Sequence, residues 1–74
     1  MGKNKVRLTI GGLDYYITTD EEIAYMKNLG EDLDDEITGL IHDHPRLSQV
    51  QAAVLSALDY ADRLKQAEKS NEFL

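Results

Sequence analysis

Two runs near the start of the chain, Lys5 to Ile10 and Leu13 to Thr18, alternate. From Lys5 to Ile10, Val6, Leu8 and Ile10 fall on one face and Lys5, Arg7 and Thr9 on the other. This is the period-two pattern of a half-buried strand. Gly11-Gly12 follows, two residues that tolerate the positive φ of a tight hairpin turn. Leu13 to Thr18 alternates again. A two-residue loop opposes Ile10 to Leu13, Leu8 to Tyr15 and Val6 to Ile17, three apolar pairs on one side, so loop length and pattern agree. A hairpin is expected over residues 5–18.

The period then changes. Ile23, Met26, Leu29, Leu33, Ile37, Leu40 and Ile41 lie on a stripe about 120° wide at 100° per residue, the mark of a helix resting on a core. Thr19 and Glu22 have the spacing of a capping box, which starts this helix at residue 20. Asp32, Asp34, Asp35 and Glu36 are expected mostly to face away from the stripe. Pro45 disfavours helical geometry at His44 and stops the helix near residue 43. Ser48 and Gln51 repeat the capping-box spacing and open a second helix over 48–70.

In that second helix the apolar set is far wider. Val50, Ala53, Val54, Leu55, Ala57, Leu58, Tyr60, Ala61 and Leu64 cover more than half its circumference. A hairpin and one partner helix cannot cover so much surface within one copy, and a bare apolar face on a water-soluble chain marks an interface. Val50, Val54, Ala57, Ala61 and Leu64 follow each other at steps of four and three, a short coiled-coil-like seam. Val50, Val54, Ala57, Leu58, Ala61 and Leu64 are therefore the candidate dimer face. Lys65 to Glu72 is almost wholly polar, and Phe73-Leu74 follows it. The fold class is α+β in the order β-β-α-α, one small domain over residues 1–74.

Composition sharpens this picture. With 74 residues and no cysteine, the chain lacks a disulfide staple, and self-association takes its place among the usual supports of small folds. Eight Lys and Arg against 14 Asp and Glu give a net charge of −6, which repels a phosphate backbone and disfavours nucleic acid. No apolar run reaches the ~18 residues of a membrane helix, and Met1 to Ile10 lacks a secretion-type apolar region. A cytoplasmic protein without a membrane partner is expected.

Candidate chemistry is sparse. His42-Asp43-His44 is the one cluster with metal-ligand character, but it lacks the spacing and further ligands of a zinc site. The acidic run 31–36 lacks the glycine and alternation of a calcium loop. Ser48, Ser56 and Ser70 stand in no nucleophile motif, and Gly11-Gly12 matches no phosphate-binding spacing. Neither enzyme, metal nor cofactor is expected. Two residues have the character of partner contacts: Arg46, in the short loop between the helices, and Tyr16, on the outward side of the hairpin.

The runs KVRLTIGGLDYYITTDEE and HPRLSQVQAAVLSALDYADRL together resemble the ZapA family of bacterial cell-division proteins. The likeness covers residues 5 to 67, in the order of strand, glycine turn, Tyr-bearing strand, acidic helix start, Pro-Arg-Leu-Ser junction and Ala-rich helix. It implies a cytoplasmic protein at midcell, without catalytic activity. Such a protein binds filaments of the tubulin-like division GTPase FtsZ and bundles them in ring assembly and septation. It implies a dimeric head and a C-terminal coiled coil that joins two dimers into a tetramer. It also implies basic head residues at the FtsZ contact: Arg46 matches one such position, while others fall on Leu13, Tyr16 and near His42. The competing reading from the residues alone is a small dimeric DNA-binding regulator of strand-helix-helix type, supported by Lys3, Lys5 and Arg7 and opposed by the net charge.

Overall fold

The computed structural model describes residues 3–72, and the side chains of residues 3–69. Strands β1 (Asn4–Ile10) and β2 (Leu13–Thr19) form an antiparallel hairpin, followed by helices α1 (Ile23–Asp43) and α2 (Gln49–Glu72). The register is the one the apolar pairs require: Ile10 opposes Leu13, Leu8 opposes Tyr15 and Val6 opposes Ile17. Gly11 and Gly12 take φ of 60° and 83°, the doubly positive geometry of a type I′ turn, whose twist matches that of the strands.

Helix α1 starts at Ile23, three residues later than the Thr19–Glu22 spacing indicated. Thr19 still belongs to β2, and its hydroxyl accepts from the Glu21 amide at 3.0 Å instead of from Glu22. Asn4 Nδ2 holds the same turn by donating to the Glu21 carbonyl at 2.9 Å. Glu22 then takes the N-cap position with no side-chain cap. At the other end the proline rule holds. His44 has φ −132° and ψ 77°, outside the helical region, and its amide donates to the Leu40 carbonyl. Helix α2 opens with a complete capping box, in which Gln51 N donates to Ser48 Oγ at 3.1 Å and Ser48 N to Gln51 Oε1 at 3.0 Å.

α1 packs on β1, and α2 packs on α1. Val6, Leu8, Gly30, Ile37 and Ala52 form the buried apolar centre. Gly30 lies against Leu8: a Cβ built there falls 3.0 Å from Leu8 Cδ2, so the glycine sets how closely α1 approaches the strand. The cover is one-sided. Leu13 and Tyr15, on the same sheet face as Val6 and Leu8, remain 54% and 46% exposed.

A polar clamp fixes the hairpin turn to both helices. Gly11 N donates to Asp34 Oδ1 at 2.7 Å, and Gln49 Nε2 donates to Gly11 O at 2.8 Å. Asp34 therefore turns inward, in contrast to the outward face expected for it. Its position explains this, since it stands four residues after Gly30 and three before Ile37, on the side of α1 that meets β1. Asp34→Ala leaves an amide without its charged acceptor and should cost about 1.5 to 3 kcal/mol. Gln49→Ala, losing a neutral bond, should cost about 0.5 to 1.5 kcal/mol. Urea unfolding of the two variants checks the order.

Candidate partner surface and pairing face

The second helix presents two opposite sides. Ala52, Ser56, Asp59 and Arg63 recur at steps of four and three and face α1. Ala52 and Ser56 are fully buried. Arg63 Nη2 bridges Asp59 Oδ2 at 2.7 Å and Glu36 Oε1 at 3.2 Å, and its guanidinium lies 5.1 Å from the centre of the Tyr60 ring. Glu36 thus faces α2 and not solvent, a second departure from the expected outward acidic face.

Glu36 Oε2 and Ser56 Oγ are buried without a hydrogen-bond partner. The Asp59 carboxyl raises the Glu36 carboxyl above the ordinary 4.5, first by hydrogen bonding to its protonated form. Burial and the Asp59 charge act in the same direction. Ser56 and Arg63 oppose them without reversing the shift. Tyr60 is likewise raised, chiefly by burial and then by Glu36. The folded chain thus holds a proton on Glu36 at pH values where the unfolded chain has released it. Its contribution to stability must grow as pH falls from neutral through the raised value, and level off below 4.5. The wild type is expected to gain urea resistance over that interval relative to Glu36→Gln. A constant difference between the two unfolding curves would show that Glu36 carries no linked proton.

On the opposite side of α2, about 180° away at 100° per residue, lie Val50, Val54, Ala57, Leu58, Ala61 and Leu64. All six are exposed, Val50 by 72%. The face read from the sequence as a pairing seam is thus a continuous apolar stripe, turned away from its own α1.

Arg46 sits exposed in the turn between α1 and α2. The adjacent carbonyls are occupied by backbone amides, His44 N on Leu40 O and Leu47 N on His44 O. Among the described residues Arg46 makes no ion pair or hydrogen bond, so its charge is available to solvent. His42 is exposed on the last turn of α1, with Nδ1 3.4 Å from the neighbouring Asp43 carboxylate. Tyr16 projects from the hairpin at 78% exposure, across the strand pair from Arg7. Arg46 and His42 therefore share the junction end of the molecule, while Tyr16 belongs to a separate surface, the outward face of the sheet. Among the described residues, no group of three or more His, Cys, Asp or Glu is arranged to hold a metal ion, and no helix is long and apolar enough to cross a membrane.

The family model of cell division protein ZapA matches residues 6–74, from the first buried residue of β1 through the whole of α2. The chain belongs to the ZapA family. No curated protein and no solved structure matches it in turn. ZapA-family proteins act in cell division and septation as non-enzymatic members of the division ring, associated with FtsZ. The match agrees with the resemblance read from the two sequence runs and spans both the hairpin and the apolar stripe of α2.

Proposed function

We propose that this ZapA-family chain is a non-enzymatic, cytoplasmic FtsZ-binding module that pairs through α2 and bundles FtsZ filaments at the midcell division site. The observation that carries the proposal is the apolar stripe on α2 that one copy leaves bare. The dimensions support it. The chain measures 40 × 37 × 15 Å with a radius of gyration of 14.6 Å, against about 11 Å for a compact fold of this length. Its surface of 6020 Å² exceeds by roughly 1,400 Å² the ~4,600 Å² of a compact monomer of its mass. Counted on both partners, about 2,800 Å², that excess is of the size that obligate homodimer interfaces bury.

The energies locate the interface further. Val50, Val54, Leu58 and Leu64 are each more than half exposed, so burying the exposed half is worth about 1 to 1.5 kcal/mol apiece. Eight such side chains in a two-fold dimer give roughly 8 to 12 kcal/mol, comparable to the ~4 to 15 kcal/mol that association costs. The helix stripe alone is marginal. Leu13 and Tyr15, left uncovered on the inner sheet face, are the natural second contribution, and the small centre of one copy is then completed by the other. A tetramer needs additional coiled coil beyond Leu64, where the apolar steps end.

Two heads on one dimer make the module bivalent, and avidity then holds neighbouring filaments more tightly than either head alone. Arg46 is assigned as a charged contact to FtsZ, with His42 beside it and Tyr16 as a further contact on the separate, outward face of the sheet. Arg46→Ala removes a charge that makes no ion pair or hydrogen bond among the described residues. It should weaken co-pelleting with polymerised FtsZ about tenfold while leaving the melting temperature unchanged. Wild-type protein that stays in the supernatant with FtsZ polymers would overturn the functional reading itself. Unchanged pelleting of the variant would remove only Arg46.

A further inference from the structure

We propose that the outward face of the β1–β2 hairpin is a docking surface for an extended acidic polypeptide segment with negative side chains at alternate positions. Lys5 and Arg7 project from β1 on this face, with Lys3 just before it, and Thr18 and Tyr16 stand opposite them on β2. Lys5, Arg7, Tyr16 and Thr18, together with Val6 and Ile17, line a shallow groove of about 270 Å³. The one acidic strand residue on the face is Asp14, near the turn, whose Oδ1 already accepts from Thr9 Oγ1 at 2.7 Å.

Of the eight Lys and Arg residues, Arg63 pairs with Asp59 and Glu36, and Lys65 with Glu68, among the described residues. What sets Lys5 and Arg7 apart is that they stand side by side on one strand face with no carboxylate between them. Among the described residues Lys5 and Arg7 make no ion pair. Most of the acidic run of α1 lies in the layer behind the sheet, with Glu31 reaching the β1 edge beside Lys27. At physiological ionic strength the Debye length is about 8 Å. A partner at the groove therefore meets a local positive field despite the net −6.

The spacing selects the partner. Alternate residues on a strand stand about 6.7 Å apart, so Lys5 and Arg7 stand at that interval, with Lys3 just ahead of the strand. An extended segment with Glu or Asp at every second position presents carboxylates at the same interval. Since the sheet has two strands, β1 has a free edge along which such a segment can lie. There a neighbouring groove is lined by Arg7 and Thr9 with Lys27, and Glu31 is the acidic group beside it. Tyr16 adds an exposed flat ring of the kind that anchors protein interfaces. A duplex is a poorer fit, because phosphate-backbone binding draws on some 6 to 10 cationic contacts, and this face offers three.

The inference extends the reading of the chain as a protein-binding module but does not depend on FtsZ. The test is fluorescence anisotropy of a labelled peptide of alternating Glu and Thr, with a Gln-Thr peptide and a 20-base-pair duplex as competing probes. The Glu peptide is expected to bind at 50 mM salt at least tenfold more tightly than the Gln peptide, and to weaken with salt. A Lys5→Glu, Arg7→Glu variant with an unchanged circular dichroism spectrum should lose at least tenfold, and Lys69→Glu, remote on α2, should not. Equal binding of the two peptides, or full binding by the double variant, overturns the inference. Tighter binding of the duplex also overturns it, in favour of nucleic acid. If peptide binding behaves as expected while the wild type fails to pellet with FtsZ polymers, this surface stands and the filament reading falls.

Discussion

The parent chain is expected to sediment as the proposed dimer and a Val54→Glu, Ala61→Glu variant, at the same concentration, as a monomer, its dissociation constant raised at least a thousandfold. Both positions lie near the middle of the exposed stripe, directly opposite the Ala52 and Ser56 side that packs on α1. The substitutions therefore leave intrachain packing untouched. In a two-fold pairing each appears twice, so four carboxylates enter an apolar seam. An unpaired charge in such a site costs several kcal/mol before relaxation. Even about 1 kcal/mol for each of the four after rearrangement gives the thousandfold change, since 1.4 kcal/mol is a factor of ten. Asn28→Glu, an added charge on the exposed side of α1, should leave the dissociation constant unchanged. Equal sedimentation of parent and double variant would mean that the stripe faces solvent in the working protein, and bivalent bundling would lose its basis.

That stripe was legible in the sequence because it is a matter of angle: too many apolar residues around one helix for one neighbour to cover. The hairpin was legible for a similar reason. A two-residue loop and strict alternation leave one register that keeps all three apolar pairs together, and Val6–Ile17, Leu8–Tyr15 and Ile10–Leu13 are the observed pairs. The two capping-box spacings have different fates. Ser48–Gln51 and Thr19–Glu22 are equivalent as strings, yet only the first forms, because Thr19 is held in β2 opposite Asn4 and has no freedom to cap. Asp34 and Glu36 illustrate a different failure. As members of an acidic run they read as a solvated face, but their roles come from what stands opposite them, the Gly11 amide and Arg63, both distant in sequence. Asp34 carried a weak signal in its helical phase with Gly30 and Ile37. Of the candidate contacts, Arg46 was placed by the proline turn beside it. That Tyr16 and Arg46 occupy different surfaces follows only from the packing of the hairpin on α1.

The two glycines of α1 separate local from tertiary effects. Gly39 has open space where a Cβ would stand, whereas at Gly30 the Cβ meets Leu8 Cδ2 at 3.0 Å, and Cδ1 and Cγ at 3.4 Å. Gly39→Ala should stabilise the chain by about 0.5 to 1 kcal/mol, the ordinary cost of glycine in a helix interior. At Gly30 the same gain is set against a tight contact with the flexible end of Leu8, and alanine there should be close to neutral. Valine removes the balance. Its two γ-carbons reach further toward β1, and its stiff χ1 offers little room to turn aside. Overpacking of this kind costs about 1 to 3 kcal/mol, and at roughly 4 to 8 °C per kcal/mol for a domain of this size the melting temperature should fall by about 10 °C. Gly39→Val carries the same change in helix propensity without the contact, so the difference between the two valine variants, measured at one protein concentration, isolates the α1–β1 packing. That packing also holds the hairpin in place, so Gly30→Val should weaken FtsZ pelleting near its lowered transition and retain it well below. Equal melting of the two valine variants would show that α1 does not ride on Leu8, and the position of the whole hairpin face relative to Arg46 would have to be drawn again.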